Sequence, residues 1–242
     1  MPSGSRKGRR MFDSVSRVRK FLRPDSVDVV LYHKGCTDGF GAYWAAERFL
    51  GENADYIPID PGDDVPALDF HPYDDVLMVD VTGSKSSMEA LYHKVASLVV
   101  LDHHKTAPEV CGHLNNCLFL GERSGAVLAW QYFFPEKEIP KLLLYVEDRD
   151  LWTWQLPSAR EVVLGLDSYP MELDTWDWAE HNLLELKRDG TTMLRFQEKA
   201  VKRAVSRAFF VDFEGFTVPC ANVTEFHSDV AESLLKANPE AP

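Results

Sequence analysis

Residues 98–104 read Leu-Val-Val-Leu-Asp-His-His, and the fold turns on that stretch. Four apolar residues in a row, two of them β-branched, suit a strand buried on both faces, and three polar residues then end it abruptly. The pattern recurs upstream. VDVVLY at 27–32 runs into His33 and then Gly35-Cys36-Thr37-Asp38-Gly39, and VLMVDV at 76–81 carries Asp80 near its end. Short β-rich runs at 56–59 and 118–120 read as further strands. Helical spacing fills the intervals, at 40–50 (FGAYWAAERFL), 125–134 and 139–148. Ser86-Ser87-Met88-Glu89 has capping-box spacing and is expected to open a helix through about residue 96. Apolar strands alternating with helices predict an α/β fold, a doubly wound and mostly parallel sheet covered on both faces.

Beyond about residue 170 the texture changes. Segments 172–189 and 191–207 read as two charged helices broken at Gly190, and 209–211 and 216–219 begin a new strand pattern. The expected organisation is a basic, disordered N-terminal extension (1–24), an α/β domain (25–170), a helical connector (171–207) and the start of a truncated, incomplete second α/β domain (208–242). Thirty-odd residues are too few to bury an independent core.

The chain has 242 residues, 45% hydrophobic and 26% charged, with four scattered cysteines. This balance excludes a disordered, collagenous or disulfide-scaffold protein. It has no run of the roughly 18 apolar residues that a membrane span needs, so no membrane association is expected. Residues 1–23 hold eight Lys/Arg against Asp13 alone, and removing that +7 from the net −12 leaves −19 for residues 24–242. So acidic a body repels long polyanions, which argues against stable binding of long nucleic acid. The basic head reads as a tail of a cytoplasmic protein or, alternatively, as an organelle transit segment for mitochondrion or plastid.

The chemistry-bearing residues follow the strands. His33, Asp80 and Asp102-His103-His104 all fall at carboxyl ends, the edge of a parallel sheet where ligands bind. A further acidic cluster, Glu147-Asp148-Arg149-Asp150, ends the helix begun near residue 139. Histidine with several carboxylates and no cysteine cage is a ligand set for Mn²⁺ or Mg²⁺. Crowded acids repel one another unless a cation neutralises them, and two divalent ions are the usual arrangement in phosphoester hydrolysis.

His33-x-x-Cys36-x-Asp38-Gly39, Asp80, Asp102-His103-His104 and Asp148/Asp150, in that order, resemble the DHH superfamily of phosphoesterases. That group takes in oligoribonucleases, single-strand exonucleases, family II pyrophosphatases and exopolyphosphatases, and the resemblance spans roughly residues 27–155. It implies a site for two Mn²⁺, with Mg²⁺ or Co²⁺ as substitutes. His33 and Asp80 would hold one ion, and Asp38, Asp80, His103 and Asp148 the other, with Asp80 bridging. Asp102 would orient His103, and His104 would face the substrate phosphate. Cys36 stands where the family commonly has the first acid of Asp-x-Asp, and no glycine-rich GGGH-like motif follows.

Ser124-Gly125, opening a helix, offers a phosphate site or a plain N-cap, and Arg149 a phosphate clamp or a local ion pair. Cys111-x-His113-x-x-x-Cys117 is a weak zinc candidate. Trp152, Trp154, Trp176 and Trp178 suit core packing or base stacking. The function these residues imply is metal-dependent hydrolysis of phosphodiester bonds in short oligonucleotides or a small nucleotide. The alternatives are a phosphoanhydride hydrolase and a degenerate nucleotide- or partner-binding member; whether the chain forms a homodimer stays open.

Overall fold

Strand β1 (Val29–His33) lies inside the sheet, between β2 (Asp55–Ile59) and β3 (Asp75–Val79). The computed structural model describes residues 15–240 except 64, 66–68 and 115. β4 (Ser97–Asp102) follows β3 and β5 (Cys117–Phe119) closes the order β2-β1-β3-β4-β5, with every pairing parallel. Chain direction across the sheet therefore reverses between β1 and β3, the switch point at which α/β sheets open a crevice.

Both faces of the sheet are covered, which is why its strands read as unbroken apolar runs. Val29, Leu31, Val76, Met78, Leu98 and Val100 share one core with Met88 and Leu91 of helix α2 (Lys85–Lys94) and Cys111 of α3 (Ala107–Cys111). The alternate residues Val30, Leu77, Val79, Val99 and Leu101 are fully buried toward the other side. There α1 (Thr37–Leu50) and α4 (Gly125–Phe133) pack together against the sheet, with α5 (Lys141–Asp150) beside both. The cap of α2 is Ser84, whose hydroxyl accepts from the Ser87 N–H, so the helix starts earlier than the Ser86 capping box suggested.

The expected extension 1–24 is not unstructured throughout. Val15, Val18 and Leu22 are buried, and the Tyr132 hydroxyl donates to the Leu22 carbonyl at 2.7 Å. Residues 1–14, where the transit-segment reading mostly falls, lie outside the described residues.

The expected connector 171–207 is shared between two compact units. The first takes in the described residues through Ala159 together with Tyr169–Leu183. There Trp176 of α7 (Leu173–His181) packs with Phe40 and Trp44 of α1. The second unit comprises Arg160–Ser168 and Leu184–Pro242. It holds most of α6 (Ala159–Asp167) and of α8 (Leu183–Val205), the antiparallel hairpin β6 (Phe209–Phe213)–β7 (Phe216–Cys220), and α9 (His227–Ala237). One apolar cluster of this unit joins Val201, Val230 and Leu234, and Arg160 bridges Asp229 at 2.9 Å and Glu232 at 3.2 Å. The break expected at Gly190 falls instead at Asn182, and α8 runs straight through the glycine. Among the described residues no helix is long and apolar enough to cross a membrane.

Candidate metal centre

Register brings the strand ends level. Tyr32 pairs with Val79 and Val79 with Leu101, so His33, Asp80 and Asp102 come out along one edge. Asp80 turns there with φ 63°, a left-handed conformation that Asp and Asn tolerate better than other side chains. Its N–H donates to the Leu101 carbonyl at 3.0 Å. Close by is Gly125, where an added Cβ would stand 2.4 Å from the Asp80 Cβ.

Asp80 lies between two groups of donors. Its Oδ1 is 3.1 Å from His103 Nε2, and its Oδ2 is 3.4 Å from His33 Nδ1. The first group is completed by Asp38 Oδ2 and Asp150 Oδ2, at 3.7 and 3.3 Å from the same His103 nitrogen. The second is completed by Cys36, whose sulfur lies within 4.8 Å of ligating atoms of His33 and Asp80. Asp102, fully buried, accepts from the His103 and His104 N–H groups at 2.6 and 3.0 Å and from His104 Nδ1 at 2.7 Å, all through Oδ1. It therefore orients the ring of His104, not that of His103.

The electrostatics are those of a site short of positive charge. Burial, then Asp80 and Asp150, pushes the Asp38 carboxyl well above its ordinary range, against hydrogen bonds from Ser124 and Ala126. Burial also raises Asp150, against the attraction of His103. Burial opposes ionisation of Asp80, yet hydrogen bonds from His103 and His33 outweigh it and hold the group down to about 2. The hydrogen bond to Asp80, then that to Cys36, raises His33 to about 10. His103 rises despite its burial through the hydrogen bond to Asp80, and His104 rises through its bond to Asp102.

The donor set fits divalent cations. Asp102 Oδ2 is buried without a hydrogen-bond partner among the described residues, and the buried His33 Nδ1 and Asp80 Oδ2 face each other at 3.4 Å, an arrangement that leaves room for a further partner. Imidazole and carboxylate suit Mn²⁺ or Mg²⁺, whereas the soft Cys36 sulfur suits them poorly. Because a metal takes the neutral imidazole, Mn²⁺ must displace the His33 proton below about pH 10. Apparent Mn²⁺ affinity should therefore climb by up to about tenfold per pH unit above neutrality. Calorimetric titration in two buffers of different ionisation enthalpy checks this, with at least one proton released; affinity flat with pH would exclude His33 as a ligand.

Geometry decides three points that the sequence leaves open. Asp148 does not join the cluster: its carboxylate accepts from Thr153 Oγ1, Gln155 N–H and Leu156 N–H, and Asp150 stands in its place. Asp150 shares one face of α5 with the buried Leu143 and Glu147 at i, i+4, i+7 spacing, and it reaches His103 from the exposed end of the helix. The phosphate site expected at Ser124-Gly125 is already filled. The N–H groups of Gly125 and Ala126 donate to Asp38 at 2.6 and 3.0 Å, so the α4 N-terminus binds a carboxylate of the protein itself. Ser124 caps the helix through the Val127 N–H, and its own N–H donates to Glu147, an acid the sequence reading did not assign. Arg123 pairs with that Glu147 at 3.0 Å. Arg149 is half-buried, and its charge favours the ionised form of Asp150. The zinc reading of Cys111, His113 and Cys117 also fails: both cysteines are buried in the apolar core, and His113 pairs with Glu89 at 3.3 Å.

Two substitutions separate these roles. Asp150→Asn should weaken Mn²⁺ binding at least about tenfold, whereas Asp148→Asn should leave it near wild type and lower the melting temperature, which metal titration and a thermal melt resolve. Gly125→Ala drives a methyl into Asp80, an overpacking of about 1–3 kcal/mol. Native far-UV circular dichroism with weakened metal binding is the expected result.

No protein-family profile matches the chain. It is 32% identical over 232 residues to a curated relative, Uncharacterized protein R106 of Acanthamoeba polyphaga mimivirus; the match takes in 87% of this chain and 55% of R106, so the chain spans about half of that relative's length. Among solved structures it is similar to an uncharacterized protein from Helicobacter pylori G27 at 14% identity and TM-score 0.43, over 89% of this chain and 81% of that one. It is also similar to RecJ from Thermus thermophilus, solved in complex with Mn²⁺, at 16% identity and TM-score 0.47, over 96% of this chain and 45% of RecJ.

Proposed function

We propose that the chain is a DHH-type, metal-dependent phosphohydrolase acting on phosphodiester bonds of short oligonucleotides or a small nucleotide. The carrying observation is Asp80, which offers one oxygen to the His103 group and the other to His33 at the topological switch point. His33 and Asp80 would hold one cation, with Asp38, Asp80, His103 and Asp150 holding a second. Such ions supply activation of water and neutralisation of charge on phosphorus oxygens.

The chain's own groups do the rest. Asp38, fixed by two backbone N–H groups at the start of α4, cannot swing away as charge builds in the site. His103 is held by three carboxylates, so its ring stays in place. His104 binds Asp102 through Nδ1 while 46% of its side chain stays exposed, which leaves Nε2 facing outward. The bond to Asp102 favours the protonated form of that imidazole, whose Nε2 would donate to a phosphate oxygen or to the departing alkoxide. The strongly acidic body favours a short substrate over a long polyanion.

The test is mononucleotide release from a labelled di- to pentanucleotide in Mn²⁺, beside pyrophosphate and beside chelator. Chelator-sensitive release of mononucleotide supports the reading. Preferential turnover of pyrophosphate would move the assignment to phosphoanhydrides, and metal binding without turnover of either substrate would overturn it.

A further inference from the structure

The turn between β1 and α1 sorts its donors by chemical softness. His33 ends the strand, Gly35 turns the chain with φ 62°, and Cys36 stands at the N-cap of α1. Gly39 lets the first turn of the helix sit on the strand end, since a Cβ there would stand 2.2 Å from the His33 carbonyl oxygen. The turn is thereby pinned, and it carries two donors two residues apart. Asp38 goes to the His103 group, and Cys36 goes to His33 and Asp80.

Cys36 is not a packing cysteine. Cys111 and Cys117 are of that kind: they lie in the apolar core, where the Cys111 thiol donates to the Ala107 carbonyl at 3.6 Å. Cys36 is half-buried and makes no side-chain cap bond, although Ser, Thr, Asp and Asn ordinarily make one at that position. Its sulfur instead lies within 4.8 Å of ligating atoms of His33 and Asp80. Asp80 points to a ligand independently. It is 1% exposed, and its Oδ2 has no partner for a hydrogen bond among the described residues beyond His33 Nδ1 at 3.4 Å, longer than an ordinary N–H···O bond of about 2.9 Å.

The two groups that share Asp80 therefore differ in kind. Asp38, His103 and Asp150 offer oxygens and a single nitrogen, the set for Mn²⁺ or Mg²⁺. Sulfur beside an imidazole and a carboxylate selects softer ions, Zn²⁺ above all. Three protein donors is also the count at which zinc sites keep a position open for water or substrate. We infer that His33, Cys36 and Asp80 form a site selective for a thiophilic divalent cation of the zinc class, so that the centre takes two different metals. The inference rests on the metal-dependent reading of the cluster and is independent of which phosphoryl substrate it serves.

Metal titration of the full chain, stripped by chelator, tests it without any assay of turnover. One equivalent of Co²⁺, the coloured stand-in for Zn²⁺, should produce a near-ultraviolet sulfur-to-metal charge-transfer band. Cys36→Ser should abolish that band while Mn²⁺ still binds the Asp38, His103 and Asp150 group, which also reports a folded chain. Cys36→Asp should shift the Zn²⁺-to-Mn²⁺ affinity ratio toward Mn²⁺ at least about tenfold, since even groups that only orient a ligand contribute that much. X-ray absorption of the wild-type chain with one equivalent of Zn²⁺ needs no variant, and should show a sulfur at about 2.3 Å. Co²⁺ bound without the band, a band that survives in Cys36→Ser, an unchanged ratio in Cys36→Asp, or a zinc shell of nitrogen and oxygen alone would overturn the site. A sulfur band that Cys36→Ser abolishes, in a chain that turns over neither diester nor pyrophosphate, would leave the site standing and sink the phosphohydrolase reading. Mn²⁺-dependent turnover in a chain whose Co²⁺ form lacks the band would do the reverse.

Discussion

Asp80→Asn should lower Mn²⁺-dependent hydrolysis at least about 10³-fold while leaving the fold intact. Loss of a single preorganised donor at a reacting centre commonly costs about 10²–10³ in rate, and Asp80 serves two donor groups at once. Asparagine is the informative replacement. It keeps the volume and suits φ 63°, whereas alanine would lose that tolerance and leave His103 and His33 without their acceptor. The amide removes a charge that is present at every pH above about 2. With the anion gone, His33 and His103 lose the interaction that raises them, and both should titrate nearer the ordinary imidazole range. Proton release on Mn²⁺ addition at pH 8 should therefore shrink along with affinity, a signature that unfolding does not produce. Near-native turnover in Asp80→Asn would remove this residue from the mechanism.

The fold and its site were not equally legible. The strands were plain because a sheet covered on both faces demands unbroken apolar runs, and the polar residues ending them had one physical reading. What escaped was anything decided by contacts across the chain. Asp148 and Asp150 are alike as residues, and only the rotation of α5 turns one into the cluster and the other toward 153–156. Ser124-Gly125 looks like an open helix terminus, but Asp38, far away in sequence, already occupies it. The heptad-like spacing of Val15, Val18 and Leu22 is helical and apolar, yet the surrounding Arg and Lys residues disguised a buried face as a tail. Helix α8 shows the same limit at Gly190, which local propensity marks as a break and a crossing helix turns into a contact.

Gly190→Ala should destabilise the C-terminal unit by about 3 kcal/mol or more, although residue propensity alone predicts the opposite. In a free helix, alanine in place of glycine gains about 1 kcal/mol. At this position, however, a Cβ would stand 1.7 Å from the Glu161 carbonyl oxygen and 2.7 Å from the Gly165 nitrogen. Gly165 is matched to it, since a Cβ there would lie 2.0 Å from the Leu186 carbonyl oxygen. Helices α6 and α8 thus meet backbone to backbone. No side chain is available to rotate away, so a methyl group forces the helix axes apart. Overpacking of an ordinary core costs about 1–3 kcal/mol with flexible neighbours; rigid neighbours place this case at or above the upper end, well beyond the propensity gain. Hydrogen exchange should show protection lost across α8 and α9, while Lys187→Ala, at an exposed position on the same helix, stays within about 0.5 kcal/mol of wild type. A Gly190→Ala chain that melts higher than wild type would mean that the two helices are not in backbone contact and that α8 is governed by local propensity alone.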